Sequence, residues 1–292
     1  MVDLDAASDF MAAHARLLDR RRFDVLVRGG SPEGALAALE AYRNPDGGYS
    51  WGLEPDLRDT RSQPAPALHA FEVFEDVAPV TSPRAVELCD WLETVTLPDG
   101  GVPFAVPVES AAGCAPFWAN GDPSTSSLQI SAIVTAMAHR VARHDPAIAE
   151  HPWLKRATGY CLATIDAHGE AAEPMALAFA MQVLDAAGGP EAEALVEKLG
   201  ARIPEDGRLK VAGGSPDEYM RPLDFTPLPG GPVRKLFDPQ LIEVELDRLE
   251  AGQHEDGGWS VDFASYSPAA ELEWRGQITV KTVTLLKQNG RL

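Results

Sequence analysis

Three carboxylates at Glu54, Asp56 and Asp59 are the side chains in this sequence best placed for acid–base chemistry. They lie together in Glu54-Pro-Asp-Leu-Arg-Asp-Thr60, just before a run that is predicted to form an apolar helix. Crowded carboxylates beside an apolar cavity can keep one proton at neutral pH, because desolvation and mutual repulsion raise the pKa. We therefore take Glu54, Asp56 and Asp59 as candidate catalytic residues. The structural alternative is that Asp59 caps the helix while nearby arginines pair with the other two carboxylates.

Aromatic residues in the long turns are candidates for lining a cavity. Aromatic rings attract cationic groups through their faces, and they also pack well against apolar chains. The alternative for each is ordinary packing under a turn. The candidates are Trp51, Trp118 and Trp274, followed by Phe117, Tyr219 and Phe225.

Polar side chains recur near the starts of the apolar runs. Gln63, Gln129 and Gln277 occupy similar positions in three of them, and Arg275 lies beside Glu273 before the last one. The amides could line a polar rim or simply bond to neighbouring turns, since most side-chain hydrogen bonds go to the backbone or to water. If Glu273 faced the Glu54–Asp59 cluster across a cavity, the two sets of carboxylates could supply the acid and the base that carbohydrate chemistry uses.

The elements that must position these residues are two alternating kinds of helix. Amphipathic runs with one charged face are Pro32–Arg43, Pro83–Val95, Trp153–Ile165, Glu191–Leu199 and Leu241–Leu249. Nearly uncharged runs are Gln63–Phe74, Ser126–Met137, Glu173–Leu184 and Gln277–Leu286. A helix that is apolar on most sides is buried on most sides, so we expect these four on the inside and the amphipathic helices outside. A further helix is predicted over Leu4–Arg21.

Glycine turns separate the helices. Asn44-Pro-Asp-Gly-Gly-Tyr49, Leu97-Pro-Asp-Gly-Gly-Val102 and Gln253-His-Glu-Asp-Gly-Gly-Trp259 share one pattern, and weaker copies are predicted at Asp166–Gly169 and Pro204–Gly207. Asp can accept hydrogen bonds from turn amides, and glycine takes the left-handed conformation that ends a helix. The spacing of roughly 40 to 70 residues is that of helical repeat proteins. We therefore predict one domain over residues 1–292, with a proline- and glycine-rich, lid-like insert over residues 207–239.

The Gln-xxx-Gly-x-Trp pattern at Gln253–Trp259, followed by an apolar helix, resembles the repeat of squalene–hopene cyclases and protein prenyltransferase β-subunits. The resemblance covers residues 32–286 and implies an all-α fold, a single α/α toroid of about 10 to 12 helices. It also implies an apolar, isoprenoid substrate in a central cavity. The sequence departs from both families at their reactive groups. The cyclases carry an Asp-x-Asp-Asp acid, where this chain has Thr60-Arg-Ser-Gln63, and the Asp-x-Cys zinc pair of the prenyltransferases is missing.

Composition limits the partners. A formal charge of −19 disfavours nucleic acid, which requires a basic face. No apolar run is long enough to cross a membrane and no signal peptide is visible, so we expect a cytoplasmic protein. Neither a metal site nor a cofactor motif is present, and the oligomeric state is left open.

These observations favour an enzyme similar to terpenoid cyclases or prenyltransferases, acting on a small apolar or isoprenoid ligand. A carbohydrate-active α/α-barrel enzyme and a non-catalytic lipid-binding or scaffold toroid are the alternatives. The lining of the cavity distinguishes them, because apolar and aromatic walls suit isoprenoids and an open polar groove suits sugars.

Overall fold

The computed structural model describes residues 2–292, and this part of the chain is 59% helical. Its 14 α-helices confirm the all-α prediction, although three of them have only four residues. The helices are α1 (Leu4–His14), α2 (Leu17–Arg28), α3 (Pro32–Leu39), α4 (Pro64–Asp76), α5 (Pro83–Val95), α6 (Pro116–Ala119), α7 (Leu128–Ala142), α8 (Pro146–Ala149), α9 (Pro152–His168), α10 (Pro174–Ala187), α11 (Gly189–Gly200), α12 (Pro222–Phe225), α13 (Pro239–Ala251) and α14 (Pro268–Gln288). Within residues 2–292 the only strands are β1 (Leu209–Lys210) and β2 (Tyr219–Met220), which pair antiparallel.

Burial confirms the predicted division for two of the four nearly uncharged helices. These helices are α4, α7, α10 and α14, and the amphipathic ones are α3, α5, α9, α11 and α13. Nine of 13 residues are buried in α4 and ten of 15 in α7, against three of 13 in α13. Helices α10 and α14, with six of 14 and nine of 21 residues buried, are closer to the amphipathic α5, with five of 13. Since apolar helices gain most from leaving water, α4 and α7 form the centre of the core.

The N-terminal prediction of one helix over Leu4–Arg21 is wrong. The chain forms α1 and α2 with a break at Ala15 and Arg16, both of which are extended. Arg16 explains the break, because its side chain donates to the carbonyl oxygens of Gly52 and Leu53 at 2.8 and 3.1 Å. A tertiary contact of this kind leaves no signal in the local apolar pattern.

The last uncharged helix begins earlier than predicted. Helix α14 starts at Pro268 instead of Gln277, with Ser267 accepting a hydrogen bond from the backbone of Ala270 as its cap. The charges at Glu273 and Arg275 interrupt the apolar pattern there and hide the first turns of the helix. These charged residues therefore lie within α14 instead of before it.

Three glycine turns share one set of hydrogen bonds. In each, the Asp carboxylate accepts from the second glycine, as in the 3.0 Å bond from the Gly48 amide to Asp46. The first glycine has a φ of +94°, +97° or +90° in the three turns, a region open to glycine and costly for other residues. The turn at Gly207 keeps the Asp contact, through Asp206. The predicted copy at Asp166–Gly169 is wrong, because α9 continues to His168 and Gly169 stays helical.

Each complete turn lies against a later or earlier amphipathic helix. The second glycine of each pair faces an aromatic ring: Gly48 faces Trp91 of α5, Gly101 faces Tyr160 of α9, and Gly258 faces Phe10 of α1. A side chain at any of these glycines would collide with the ring. The last turn therefore joins the C-terminal region to the first helix, and Gln253 strengthens this junction through two hydrogen bonds with the backbone of Asp3.

The proline-rich insert is folded over residues 207–239. It contains β1, β2, α12 and a 3-10 segment at Val233–Leu236. Apolar anchors fix it to the core around α10, and Leu223, Phe225, Val233 and Phe237 are all buried there. A disordered linker would not bury such residues.

Candidate ligand site

Asp56 is a buried hydrogen-bond acceptor. One carboxylate oxygen accepts from the backbone N–H of Tyr266 at 2.9 Å and the other from the indole N–H of Trp274 at 2.8 Å. Its own carbonyl accepts from the backbone of Ala115. The residue therefore ties the loop before α4 to the start of α14, and both carboxylate oxygens are occupied as acceptors.

Asp56→Asn should consequently destabilise the fold. Asparagine keeps one acceptor, but its NH₂ group would face a second donor, leaving a buried N–H unpaired. We expect a loss of about 2 kcal/mol in the free energy of unfolding, measured by urea denaturation. An unchanged unfolding free energy, together with loss of turnover of a prenyl substrate, would instead identify Asp56 as a catalytic acid.

Asp59 has a similar structural setting. Its carboxylate accepts from the Gln63 amide at 2.9 Å and from the backbone N–H of Glu109 at 2.9 Å. Gln63 is fully buried and also bonds to the backbone of Val106 in both directions. Asp59 and Gln63 together hold the long loop before α7 against the start of α4.

Glu54 belongs to a charged cluster around His69 of α4. The Glu54 carboxylate lies 3.0 Å from His69 Nε2, and the Glu72 carboxylate lies 3.2 Å from His69 Nδ1. Arg22 of α2 extends the cluster through ion pairs with Glu72 at 3.3 Å and Asp76 at 2.6 Å. The sequence left open that arginines near Glu54 pair with the carboxylates of the same segment. Arg58 does not, because its partner is Glu273 of α14 at 2.6 Å.

His69 is held in its protonated form. Burial opposes the charge, but the Glu72 and Glu54 carboxylates outweigh it and raise the pKa of His69 to about 9. Burial likewise opposes ionisation of Glu72, yet His69 and Arg22 lower its pKa to about 2. The Gln277 amide nitrogen lies 2.6 Å from His69 Nδ1, and the Gln277 amide oxygen is buried without a partner within residues 2–292.

The Arg22–Asp76 pair is deeply buried. Burial opposes the charge on both side chains. For Arg22, the attraction of Asp76 and Glu72 outweighs burial and raises its pKa above the ordinary value. Burial exceeds the effect of Arg22 on Asp76 and raises the pKa of Asp76 to about 6, so the ion pair is complete only above that pH.

The aromatic candidates have diverse surroundings. Trp274 is partly exposed and has edge-on contacts with His69 and Phe263 at centroid distances of 6.1 and 5.1 Å. Trp118 is buried, stacks on Phe104 at 4.5 Å and has an indole N–H without a partner among residues 2–292. Of the six tryptophan, phenylalanine and tyrosine candidates, Trp274 is the one in contact with the His69 cluster.

The other aromatic candidates lie away from that cluster. Trp51 and Phe117 are 51% and 57% exposed, Tyr219 is surrounded by Arg208, Lys210 and Arg221, and Phe225 is fully buried in the insert. Trp51 also has a φ of +58°, with its indole N–H bonded to Asn44.

Arg275 and Gln129 each have one clear partner. Arg275 makes a two-pronged ion pair with Asp256 at 2.8 Å and lies over the Phe10 ring, so it fixes the last glycine turn. Gln129 approaches the sulfur of Met175 at 3.1 Å, where α7 meets α10.

Accessible residues form one stripe on each of α4, α10 and α14, and Trp274 is the one member of these stripes that the sequence had singled out. An accessible stripe here means a line of partly or fully exposed residues along one face of the helix; α14 has further exposed residues, such as Leu272 at 40%. The stripes are Leu68, Glu72 and Glu75 on α4; Met175, Phe179 and Gln182 on α10; and Trp274, Ile278 and Lys281 on α14. Helix α7 is buried throughout residues 130–138, because α4 and α10 cover it. In every stripe the apolar residues come first in the chain and the polar residues last.

Polar contacts connect the ends of the stripes. Arg140 of α7 lies 3.7 Å from Glu75 and donates to Gln182 at 3.1 Å. Gln182 in turn donates to the backbone of Asp224 in α12, whose carboxylate lies 3.6 Å from Lys281. The polar ends of the three stripes therefore share one region of the molecule.

Comparisons with known proteins do not place the chain in a family: no family model matches it, and no curated protein matches it. None of the helices in residues 2–292 is long and apolar enough to span a membrane. That same part of the chain contains no group of three or more His, Cys, Asp and Glu side chains positioned to hold a metal ion.

Proposed function

We propose that α4, α7, α10 and α14 enclose a central lumen in an α/α toroid, and that this lumen binds an apolar, isoprenoid-type ligand. The observation that carries the proposal is the accessible stripe on three of these helices. A line of partly exposed side chains shows that one face of each helix borders an open space, and we take that space to be the lumen.

Helix packing supports the toroid. Helix α4 packs on α7, α7 on α10, α10 on α12, α12 on α13, α13 on α14, α14 on α2, and α2 on α4. This order returns to its starting helix. The last glycine turn also contacts α1, so the C-terminal region meets the N-terminal helix, as a closed ring requires.

The first half of each stripe supports an apolar ligand. Leu68, Phe179 and Ile278 would line the lumen, with Met175 and Trp274 nearer its entrance, and Ile278 also packs against the apolar cluster of α1, α2 and α14. Apolar and aromatic walls gain about 25 cal/mol per Å² of apolar surface that a ligand removes from water. An open polar groove, which a carbohydrate-active enzyme would need, is not what these residues offer.

The second half of each stripe supports a ligand with one polar end. Glu72, Glu75 and Lys281 remain 21%, 22% and 50% exposed, although they belong to core helices. Mixed charge at one end of an apolar channel would orient a chain that carries a hydroxyl or a similar group.

Binding is better supported than protonation chemistry. Asp56 and Asp59 use their carboxylates to accept hydrogen bonds, and Glu54 faces a protonated histidine. A cyclisation initiated by an acid would need a group that gives up its proton readily, whereas His69 is stabilised in its charged form by two carboxylates. Cyclase or transferase activity therefore remains a prediction, which an assay for turnover of prenyl substrates would test.

Ile278→Thr should weaken binding of farnesol. The substitution replaces an apolar wall with a hydroxyl, which costs about 1–2 kcal/mol and lowers affinity by roughly 5- to 30-fold. Binding can be followed by tryptophan fluorescence, since Trp274 lies in the same stripe. Val244→Thr is the matched control, because Val244 is 63% exposed on α13, and it should bind farnesol like the parent.

Failure of the parent protein to bind farnesol would contradict the proposal, and so would equal effects of the two substitutions. Binding of maltotriose, a short sugar chain, is measured in the same way. Binding of maltotriose that Ile278→Thr weakens would favour the carbohydrate alternative over the isoprenoid one.

A further inference from the structure

We propose that a cavity between the C-terminal ends of α7 and α10 binds a small oxyanion, a phosphate or carboxylate group. The cavity contains about 370 Å³ of empty space, part of it open to solvent. Its walls include Arg140, Arg143, Gln182, Asp185, Leu228 and Gly231. The site adjoins the polar end of the α10 stripe, since Gln182 belongs to both, and the inference holds whether or not the lumen binds an isoprenoid.

Arginines concentrate here in a protein of strongly negative charge. Arg140 and Arg143 line the cavity, and Arg234 lies near enough for Asp185 to influence its pKa. They lie in a chain that has 44 acidic and 25 basic residues overall. Guanidinium groups present a planar set of donors that matches carboxylate and phosphate oxygens.

Arg143 has donors available to a ligand. It is exposed at the cavity, and its side chain has neither a hydrogen bond nor an ion pair to any residue that the structure describes. The buried Nε of Arg234 also lacks a partner within residues 2–292, although Arg234 lies outside the cavity lining, and burial lowers the pKa of Arg234. An oxyanion in the cavity would accept from the Arg143 guanidinium.

The acidic groups nearby are already engaged. Asp185 accepts from the backbone N–H of Val233 at 2.9 Å and from the hydroxyl of Thr226 at 3.3 Å. Burial raises the pKa of Asp185 above its ordinary value. Glu75, the other carboxylate near this end, lies 3.7 Å from Arg140 on the side of the stripes.

The insert shapes the cavity. Gly231 packs so closely on the Asp185 carboxylate that a Cβ atom there would overlap its oxygens. This contact positions the Pro227–Gly231 backbone as one wall and keeps Asp185 against it. Volume limits the occupant to a few atoms, since only about 60 Å³ of this space can hold a water-sized sphere, well below ordinary small-molecule sites.

Calorimetric titration with sodium phosphate, and separately with sodium acetate, tests the inference. Chloride keeps the ionic strength constant, so general screening does not contribute. We expect saturable binding of at least one of the two anions, and an affinity at least about tenfold lower in Arg143→Gln, which removes a charged donor without touching a buried ion pair. Arg20→Gln is the matched control, because Arg20 is exposed on α2, far along the chain from the cavity lining, and should bind like the parent.

Binding of acetate as well as phosphate would define a carboxylate-sized site, and binding of phosphate alone would define a site for tetrahedral anions. Absence of saturable binding by both anions would overturn the inference. Unchanged affinity in Arg143→Gln, or an equal loss in Arg20→Gln, would overturn it too, because the anion would then bind elsewhere.

Discussion

Gly257→Ala should lose about 3 kcal/mol or more of unfolding free energy. Gly257 has a φ of +90°, and an added Cβ would lie well inside contact distance of the Ala6 carbonyl. Left-handed backbone costs alanine about 1 kcal/mol, and the collision with the α1 backbone adds the cost of overpacking, about 1–3 kcal/mol. Urea denaturation at neutral pH measures the loss.

Gly290→Ala separates the cost of the left-handed backbone from the cost of the collision with α1. Gly290 has a φ of +75°, but a Cβ there meets no atom within 4 Å. It should therefore show the backbone cost alone, about 1 kcal/mol. If the two variants lost the same stability, the contact between the last glycine turn and α1 would contribute nothing to the fold.

His69→Gln should remove a stabilisation that depends on pH. The folded-state pKa of His69, about 9, lies above its ordinary value of 6.5, so the folded protein binds this proton more tightly than the unfolded chain. The stabilisation is complete below about pH 6.5 and is lost as the pH rises through 9. A shift of this size corresponds to about 3 kcal/mol. The difference in unfolding free energy between parent and variant should therefore shrink by that order between pH 6.5 and pH 9.5.

His139→Gln is a control of opposite sign. Burial, with a contribution from Arg143, lowers the pKa of His139 to about 4, and its Nε2 contacts the Thr158 hydroxyl at 2.8 Å. A lowered histidine pKa gives stability that is present above pH 6.5 and is lost as the pH falls toward 4. The difference between parent and His139→Gln should thus be flat in the alkaline range. The same alkaline decline for both variants would rule out a special role for the His69 cluster.

Local chemistry made much of the fold predictable. The Asp-Gly-Gly pattern predicts the hydrogen bonds of its turn directly, and the turns at Gly47, Gly100 and Gly257 form as expected. Two of the four nearly uncharged runs became the most buried helices, α4 and α7, because a helix with few charges has little surface that favours water. The prediction failed where tertiary contacts overrode the pattern, as at Arg16 between α1 and α2.

The candidate site was less predictable. Carboxylates at Asp56 and Asp59 suit acid chemistry or structural bonding equally, and only the positions of Trp274 and Gln63 distinguish the two. His69 is buried, and its partners at Glu72 and Gln277 could not be assigned from spacing alone. Accessible stripes are also invisible in a sequence, since the side of an apolar helix that stays uncovered depends on its neighbours.

Photolabelling with a benzophenone analogue of farnesol, followed by peptide mass spectrometry, tests the lumen most directly. Our account predicts labels on Leu68, Phe179, Trp274 or Ile278, and competition by unlabelled farnesol. Labels confined to exposed residues such as Trp51 and Phe117, without competition by farnesol, would contradict a central binding lumen.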